Sequence, residues 1–293
     1  MKKWFGILLI VGTFLILSCG GGNEKNKIFT GVIEGTVVEI PALTGGQILG
    51  IYIDTGDTVL SGQTIAQIDT TELSYQRQQV QGGLAEIAVQ ENIAQTNLNR
   101  ASNDLQYVRQ KYQRFEELLK KQSVPQQTVD DLKNQLQNAQ SAYQTSRQQV
   151  QNIEAKKEQL QAQLKSIQKK IDDATITSPI SGTISEKYYE DGEAIPTFNP
   201  IAEVIDLKEV WVKIYMSETM LPNIKVGQEV KIIPDGTKKT LAGKVSWISP
   251  KAEFTPKTIL TPETRTSLVY AIKITIPNPE KILKQGMPVE IQI

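Results

Sequence analysis

The side chains that usually carry out chemistry are scarce in this sequence. Its 293 residues include no histidine and a single cysteine, Cys19. The lack of histidine removes Ser-His-Asp and Cys-His catalysis, most zinc sites and the commonest general base. We therefore expect neither an enzyme nor a bound cofactor. The 32 basic and 32 acidic side chains are spread along the chain, so no nucleic-acid partner is expected.

Cys19 follows a short apolar segment. After two lysines, the apolar run from Trp4 to Leu17 is shorter than the roughly 20 residues that span a bilayer. Residues 1–18 are therefore typical of a signal peptide. The run Ile16-Leu17-Ser18-Cys19 resembles the lipobox of bacterial lipoproteins, which implies acylation at Cys19 and anchoring to a membrane. An uncleaved short anchor with a fortuitous thiol is the alternative, and residues 19–29 are expected to be a flexible tether.

A long glutamine-rich region without proline or glycine, except Pro125 and Gly82-Gly83, follows Thr70. Mainly apolar residues recur there at steps of three and four. The first arm contains Leu73, Val80, Leu84, Ile87, Ala94, Leu98, Ala101, Leu105, Val108, Tyr112, Phe115 and Leu119, interrupted by Arg77 and Glu91. The second contains Val129, Leu132, Leu136, Ala139, Tyr143, Val150, Ile153, Leu160, Leu164, Ile167 and Ile171, interrupted by Ser146 and Lys157. A repeat averaging about 3.5 residues predicts a left-handed coiled coil.

The two arms are separated by the segment Lys121-Gln122-Ser123-Val124-Pro125. Proline is tolerated in the first turn of a new helix. Ser123 and Gln126 have capping-box spacing, so we expect Ser123 to cap the second helix. The economical interpretation is an antiparallel hairpin over residues 71–171, with arms of about 50 residues and a length of about 75 Å. A dimeric coiled coil without a hairpin is the alternative.

The segments on either side of the arms repeat the same motifs in the same order. The repeated elements are Pro41–Ile48, Gly56-Asp57 and Ile65–Asp69 before the arms, and Ser178–Ile184, Gly192-Glu193 and Ile201–Asp206 after them. Short apolar runs punctuated by glycine are typical of strands and turns. Neither half is long enough to bury a core alone. Residues 30–70 and 172–207 are therefore predicted to form one β domain that the hairpin interrupts.

A third region, residues 208–293, consists of alternating apolar runs such as Val210–Ile214 and Val289–Ile293. This pattern predicts a small β-barrel. Trp211 and Trp247 are expected to be core or half-buried strand residues. The predicted fold class is α+β, with a helical hairpin inserted in a split β domain and a barrel after it.

This arrangement resembles the HlyD-type membrane fusion proteins, or periplasmic adaptor subunits, in which a coiled-coil hairpin interrupts a biotinyl/lipoyl-like domain. The most specific motifs are Gly45-Gly46-Gln47-Ile48, Gly56-Asp57-Thr58-Val59 and Ser178–Ile184. The modifiable lysine of a carrier domain would stand where the hairpin leaves, so the resemblance implies no cofactor. It implies a periplasmic, lipid-anchored homo-oligomer, often a hexamer, that links an inner-membrane exporter to a TolC-like outer-membrane channel. The inner membrane is the favoured site of the anchor.

The resemblance also implies contact residues at the hairpin tip. Family members carry an arginine, a leucine four residues later and a small hydroxyl residue seven beyond that. Arg114 and Leu118 match, whereas Pro125 stands at the third position, two residues after Ser123. These four residues are the predicted partner contacts.

The class of exporter is indicated by the last region. Residues 252–258 resemble adaptors of ATP-driven exporters, and the last strand is not followed by the membrane-proximal domain of many RND-pump adaptors. An ABC exporter is therefore favoured over an RND pump. A structural lipoprotein that tethers two membranes without transport is the remaining alternative.

Overall fold

A computed structural model describes residues 27–236, 239–254 and 268–293. The described residues divide into two compact units, one formed by residues 27–35 together with Lys208–Ile293, and the other by Thr36–Leu207. Within the described ranges, none of the helices combines the length and hydrophobicity needed to cross a bilayer.

Two long helices form the hairpin of the second unit. Helix α1 (Thr71–Lys120) has 50 residues and α2 (Gln126–Asp173) has 48. The heptad pattern predicted their buried faces, which comprise Val80, Ile87, Ala94 and Val108 in α1 and Val129, Leu132, Ala139, Val150, Ile153 and Ile167 in α2. The arms pack against each other within one chain, which confirms the antiparallel hairpin.

Three of the polar residues that interrupt the heptad pattern form contacts across the hairpin. Lys157 Nζ lies 2.7 Å from Glu91 Oε2, and Arg77 Nη1 donates a hydrogen bond of 3.4 Å to Gln168 Oε1. Glu91 stands between Ile87 and Ala94 of an apolar cluster, and Lys157 stands between Ile153 and Leu160 of the same cluster. Glu91 and Lys157 are therefore matched interruptions, because each supplies the polar partner of the other.

Strands from both flanks of the hairpin build the β domain of this unit. Strands β2 (Gly46–Ile51), β3 (Thr58–Val59) and β4 (Thr64–Ile68) precede α1, and β5 (Thr175–Thr177), β6 (Gly182–Lys187) and β7 (Ala194–Ile195) follow α2. They pair antiparallel as β2 with β7, β3 with β6 and β4 with β5. One core contains Ile48, Ile65 and Ile68 together with Ile184 and Ile201. The two halves therefore bury their apolar side chains in one shared core, as the repeat predicted.

Each of the two halves also contains a turn of the same kind. Gly56 and Gly192 both have φ near +90°, at 96° and 87°, a conformation that glycine adopts without steric cost. The carboxylate of Asp57 accepts a hydrogen bond from the Asp54 amide (2.7 Å), and that of Glu193 accepts one from the Glu190 amide (2.9 Å). The spacing repeat in the sequence is therefore a structural repeat.

The first unit is a closed barrel. Its strands are β9 (Glu229–Pro234), β10 (Leu241–Ile248), β12 (Leu268–Pro277) and β13 (Pro288–Gln292), with parts of β1 (Ile28–Pro41) and β8 (Pro200–Ser217), whose other residues belong to the second unit. The order is β1-β13-β9-β10-β12-β8, and β8 returns to β1, which closes six strands. Strand β11 (Glu253–Phe254) pairs with β12, and a 3₁₀ helix spans Glu218–Asn223. The predicted barrel is confirmed.

The start of the barrel differs from the predicted boundaries. Strand β1 begins at Ile28, pairs with β13 and contributes residues up to Gly35 to the barrel unit, whereas the sequence pattern placed residues 19–29 in a tether and began the split domain at residue 30. The barrel needs this strand to close, because an unpaired edge between β13 and β8 would leave backbone groups without partners. Such long-range pairing has no local sequence signal.

Candidate functional site at the hairpin tip

The tip is a compact turn built from backbone hydrogen bonds. The amide of Ser123 donates to the carbonyl of Leu118 (2.9 Å), and that of Gln122 donates to Leu119 (2.8 Å). Gln122 has φ 56°. This combination is a Schellman motif, with Gln122 in the left-handed position that usually holds glycine. Gln122 is the tip residue that the sequence pattern missed, since no glycine marks the turn.

The predicted cap of the second helix is wrong. Helix α2 begins at Gln126 with Pro125 as its N-cap residue and without a side-chain capping bond. The hydroxyl of Ser123 instead donates to the carbonyl of Lys121 (3.3 Å). The Schellman motif uses Ser123 to close α1, and Ser123 lies two residues before the N-cap position of α2, too far to act as its cap.

The four predicted contact residues lie close together along this end of the hairpin. Arg114 and Leu118 are one turn apart on α1, and Ser123 and Pro125 lie in the connecting turn. Arg114, Ser123 and Pro125 are exposed, whereas Leu118 is half-buried. Leu118 therefore presents part of its apolar surface beside a charged neighbour, an arrangement that suits a protein contact.

Arg114 has no ion-pair partner among the described residues. Its guanidinium group is therefore available to a carboxylate or carbonyl group of another protein, with which it can form two parallel hydrogen bonds. The tip thus offers the guanidinium group of Arg114 as a hydrogen-bond donor and the partly exposed apolar side chain of Leu118. This surface can recognise a protein.

The opposite end of the hairpin is fixed to the β domain. The amide of Ile68 donates to Ala174 (2.9 Å), and the Thr44 hydroxyl donates to the carbonyl of Lys170 (3.1 Å). Asp69 accepts hydrogen bonds from the hydroxyl (2.6 Å) and the amide (2.8 Å) of Thr71. These two bonds, the hydroxyl bond first, lower the pKa of the Asp69 carboxyl. The position of the tip is therefore determined by contacts at the base of the rod.

The remaining predicted site residue, Cys19, lies outside the described residues. The segment that indicated an ABC exporter is described only as far as Phe254, which is exposed in the two-residue strand β11.

Comparisons with known proteins agree with the domain arrangement. Residues 36–207 match the family described as RND MFP, barrel-sandwich hybrid domain, and residues 210–293 match the YknX-like beta-barrel domain. A UPF0194 membrane protein of Citrobacter koseri is 29% identical over 99% of this chain and 97% of that protein. The UPF0194 membrane protein YbhG of Salmonella typhi is 27% identical over 100% and 98%.

A solved structure has a similar fold. MacA from Actinobacillus actinomycetemcomitans has a TM-score of 0.65 and 24% identity, covering 92% of this chain and 78% of that one. The family match alone spans more than half of the chain. The resemblance predicted from the motifs is therefore confirmed, and the chain belongs to the membrane fusion proteins, the family of periplasmic adaptors.

Proposed function

We propose that this chain joins an inner-membrane ABC exporter to a TolC-like outer-membrane channel, for efflux or secretion. The observation that carries the proposal is the paired hairpin, with helices of 50 and 48 residues, whose tip presents Arg114 and Leu118. At about 1.5 Å per residue each arm is about 75 Å long. A rod of that length separates the β domain from whatever the tip binds.

The chain would act as a passive connecting element and not as an enzyme. Its tip and base contain hydrogen-bonding and apolar groups but no histidine, and the chain has none elsewhere. Lipid attachment at Cys19 would hold the protein at the periplasmic face of the inner membrane, because two or more acyl chains give stable anchoring where one chain does not. Assembly into a homo-oligomer, with a hexamer as the family precedent, completes the proposal.

The ABC exporter is favoured by the resemblance of residues 252–258 to adaptors that serve ATP-driven exporters. An RND pump is the second candidate, and the observation in its favour is that the family matched by residues 36–207 is described from RND membrane fusion proteins. Copurification of the acylated protein with its transporter distinguishes the two, because an ABC partner brings an ATPase subunit and an RND partner does not. A lipoprotein that only tethers two membranes would bring neither.

The tip contact is tested by Leu118→Asp. A carboxylate on a surface that a partner desolvates should weaken the contact by about 2 kcal/mol or more. We expect cells that carry this variant to lose export, measured as tolerance to a panel of drugs and detergents. Leu118 is only half-buried, so the variant should remain folded.

Two control variants make the result interpretable. Leu118→Met conserves the apolar surface and should export normally. Leu98→Asp places a charge beside the apolar cluster of the rod and should lower the melting temperature as well as export. Normal export by a folded Leu118→Asp protein would contradict the proposed tip contact.

A further inference from the structure

The barrel carries an aromatic and basic surface on its outer side, here called the Trp–Lys face. Its five members share two neighbouring rows across three adjacent strands. They are Trp211 and Lys213 of β8, Lys273 of β12, and Lys244 and Trp247 of β10. In the first row Lys244 and Trp211 both lie opposite Thr275, and in the second Trp247 and Lys213 both lie opposite Lys273.

The alternation of each strand places these side chains outside the barrel. Val212, Ile214 and Ile274 are fully buried, and they alternate with Trp211, Lys213 and Lys273 along the strands. Successive side chains of a strand point to opposite faces of the sheet. Trp211 is therefore a half-buried residue of the outer face, whereas Trp247, which we expected in the core or half-buried, is 42% exposed.

A β-bulge puts Trp247 on this face. The register between β10 and β12 shifts between Val245 and Trp247. Without the shift Trp247 would point inward, because Val245 does and the period of a strand is two. The bulge is held by the hydroxyl groups of Thr275, which donates to Ser246 (2.9 Å), and of Ser246, which donates to the carbonyl of Lys273 (3.1 Å). The bulge therefore exposes Trp247 on the outer side of the barrel.

Three lysines crowd the same face. The ammonium groups of Lys213 and Lys273 lie 5.0 Å and 4.4 Å from the centre of the Trp211 ring. These two lysines are directly opposite in the sheet, a placement that disfavours the barrel because like charges repel. Among the described residues, neither they nor Lys244 form an ion pair. Lys213 and Lys273 therefore contact the Trp211 ring as cations, but no carboxylate among the described residues neutralises the three charges through an ion pair.

One carboxylate adjoins the face, because Glu229 of β9 is exposed and directly opposite Lys244, and others lie at its borders. Glu209 is one row beyond Trp211 on β8 and opposite Pro277. Burial first, and then the charges of Glu253 and Glu34, raise the pKa of Tyr215, which is the next outer-face residue of β8 after Lys213. The five residues of the face include three cations and no carboxylate, and only Lys244 has a carboxylate, Glu229, directly opposite it. A partner that supplies negative charge would therefore complement the face.

Two properties identify the partner as a membrane surface and not an acidic protein. Tryptophan and lysine are the residue types that favour the headgroup region of a bilayer, where the ring sits at the interface and the ammonium group reaches the phosphates. The barrel strand β1 starts at Ile28, only nine residues after Cys19, which is at most about 30 Å of extended chain. If Cys19 is acylated as proposed, the barrel stays within that distance of the bilayer.

We propose that the Trp–Lys face docks on a membrane surface that contains anionic phospholipids. The acyl anchor would keep the barrel near the bilayer, and the face would orient it there. The argument for proximity rests on the proposed anchor, but the chemistry of the face does not.

The test uses tryptophan fluorescence of the full chain in vesicles. The protein used is the mature acylated chain that begins at Cys19, which lacks Trp4 of the predicted signal peptide, so that of the three tryptophans only Trp211 and Trp247 emit. The protein is mixed with vesicles of phosphatidylcholine alone or with about one third phosphatidylglycerol, each with brominated acyl chains that quench nearby indoles. We expect quenching and a blue shift only with phosphatidylglycerol. Each lysine near an anionic surface contributes about fivefold to binding, so Lys213→Gln/Lys273→Gln should lower the docked-to-undocked ratio about 25-fold.

A matched control has the same charge change elsewhere on the barrel. Lys225→Gln/Lys231→Gln removes two exposed lysines outside the Trp–Lys face and should leave most of the quenching intact. Equal quenching in both lipid compositions, or equal loss in both double variants, would overturn the proposal. Absence of quenching together with lost export in Lys213→Gln/Lys273→Gln would also overturn it and would indicate an acidic protein partner.

The anchor is measured separately in the same samples. Sedimentation with phosphatidylcholine vesicles reports attachment through Cys19, whereas the dependence on phosphatidylglycerol reports the face. If the protein does not sediment with phosphatidylcholine vesicles but its quenching still depends on phosphatidylglycerol, the proposal for the Trp–Lys face holds and the proposed anchor fails. If the protein sediments but its quenching does not depend on phosphatidylglycerol, the proposal for the face fails and the adaptor proposal holds.

Discussion

The ion pair between the arms of the hairpin allows a quantitative prediction. Lys157 and Glu91 meet at 2.7 Å, but their side chains remain 38% and 34% exposed. Solvent screens a pair at this exposure, so we expect a coupling of about 0.5–1 kcal/mol, at the upper end for exposed pairs. The measurement is a double-mutant cycle with Glu91→Gln and Lys157→Gln, followed by thermal unfolding, and the coupling should fall as salt is raised.

Replacement of both residues by leucine should raise the free energy of unfolding, whereas loss of the ion pair lowers it. The site lies along the apolar cluster of Ile87, Ala94, Val150 and Ile153. Two leucines, each about two thirds buried, should contribute about 1–2 kcal/mol apiece, which exceeds the lost coupling. We expect Glu91→Leu/Lys157→Leu to unfold about 4 °C or more above the wild type. A coupling of zero, or a less stable double-leucine variant, would refute the packing of the arms described above.

Three further predictions concern the anchor, the base and the tip. Cys19→Ser should abolish incorporation of a fatty-acid probe in cells, and equal labelling of wild type and variant would exclude acylation at Cys19. Thr71→Ala should raise the pKa of Asp69 toward its ordinary value in an NMR titration, because the hydrogen bond from the Thr71 hydroxyl is the first cause that lowers this pKa. In the wild type, the stabilisation from Asp69 should be present at neutral pH and should be lost as the pH falls through the folded-state pKa of Asp69. Gln122→Gly should stabilise the hairpin by about 0.5–1 kcal/mol, because Gln122 has a positive φ that glycine adopts without strain; a lower melting temperature would contradict the Schellman turn.

The elements with strong local signals were predicted from the sequence. The heptad spacing of residues such as Ile87 and Ile153 defines one face of a helix wherever the partner lies. The equal separations around Gly56 and Gly192 indicate equal turns, because both positions need a positive φ. These local features were sufficient to recognise the hairpin, the split domain and the barrel.

Features that depend on distant partners were not predicted. Ser123 does not cap α2, because Gln122 adopts a left-handed conformation without being glycine and α2 begins only at Gln126, later than the capping pattern predicted. Strand β1 joins the barrel through β13, more than 250 residues away along the chain. The exposure of Trp247 depends on a bulge whose register only the pairing with β12 reveals.

The contact of the tip with an outer-membrane channel is the central claim, and photocrosslinking in living cells tests it most directly. A photoreactive amino acid at position 114 replaces an exposed arginine beside Leu118, and the same amino acid at position 154, on the side of α2 and far from the tip, is the matched control. We predict that position 114 forms a crosslink to an outer-membrane channel protein and that position 154 does not. A folded protein with the probe at position 114 that forms no crosslink to any outer-membrane protein would contradict the account.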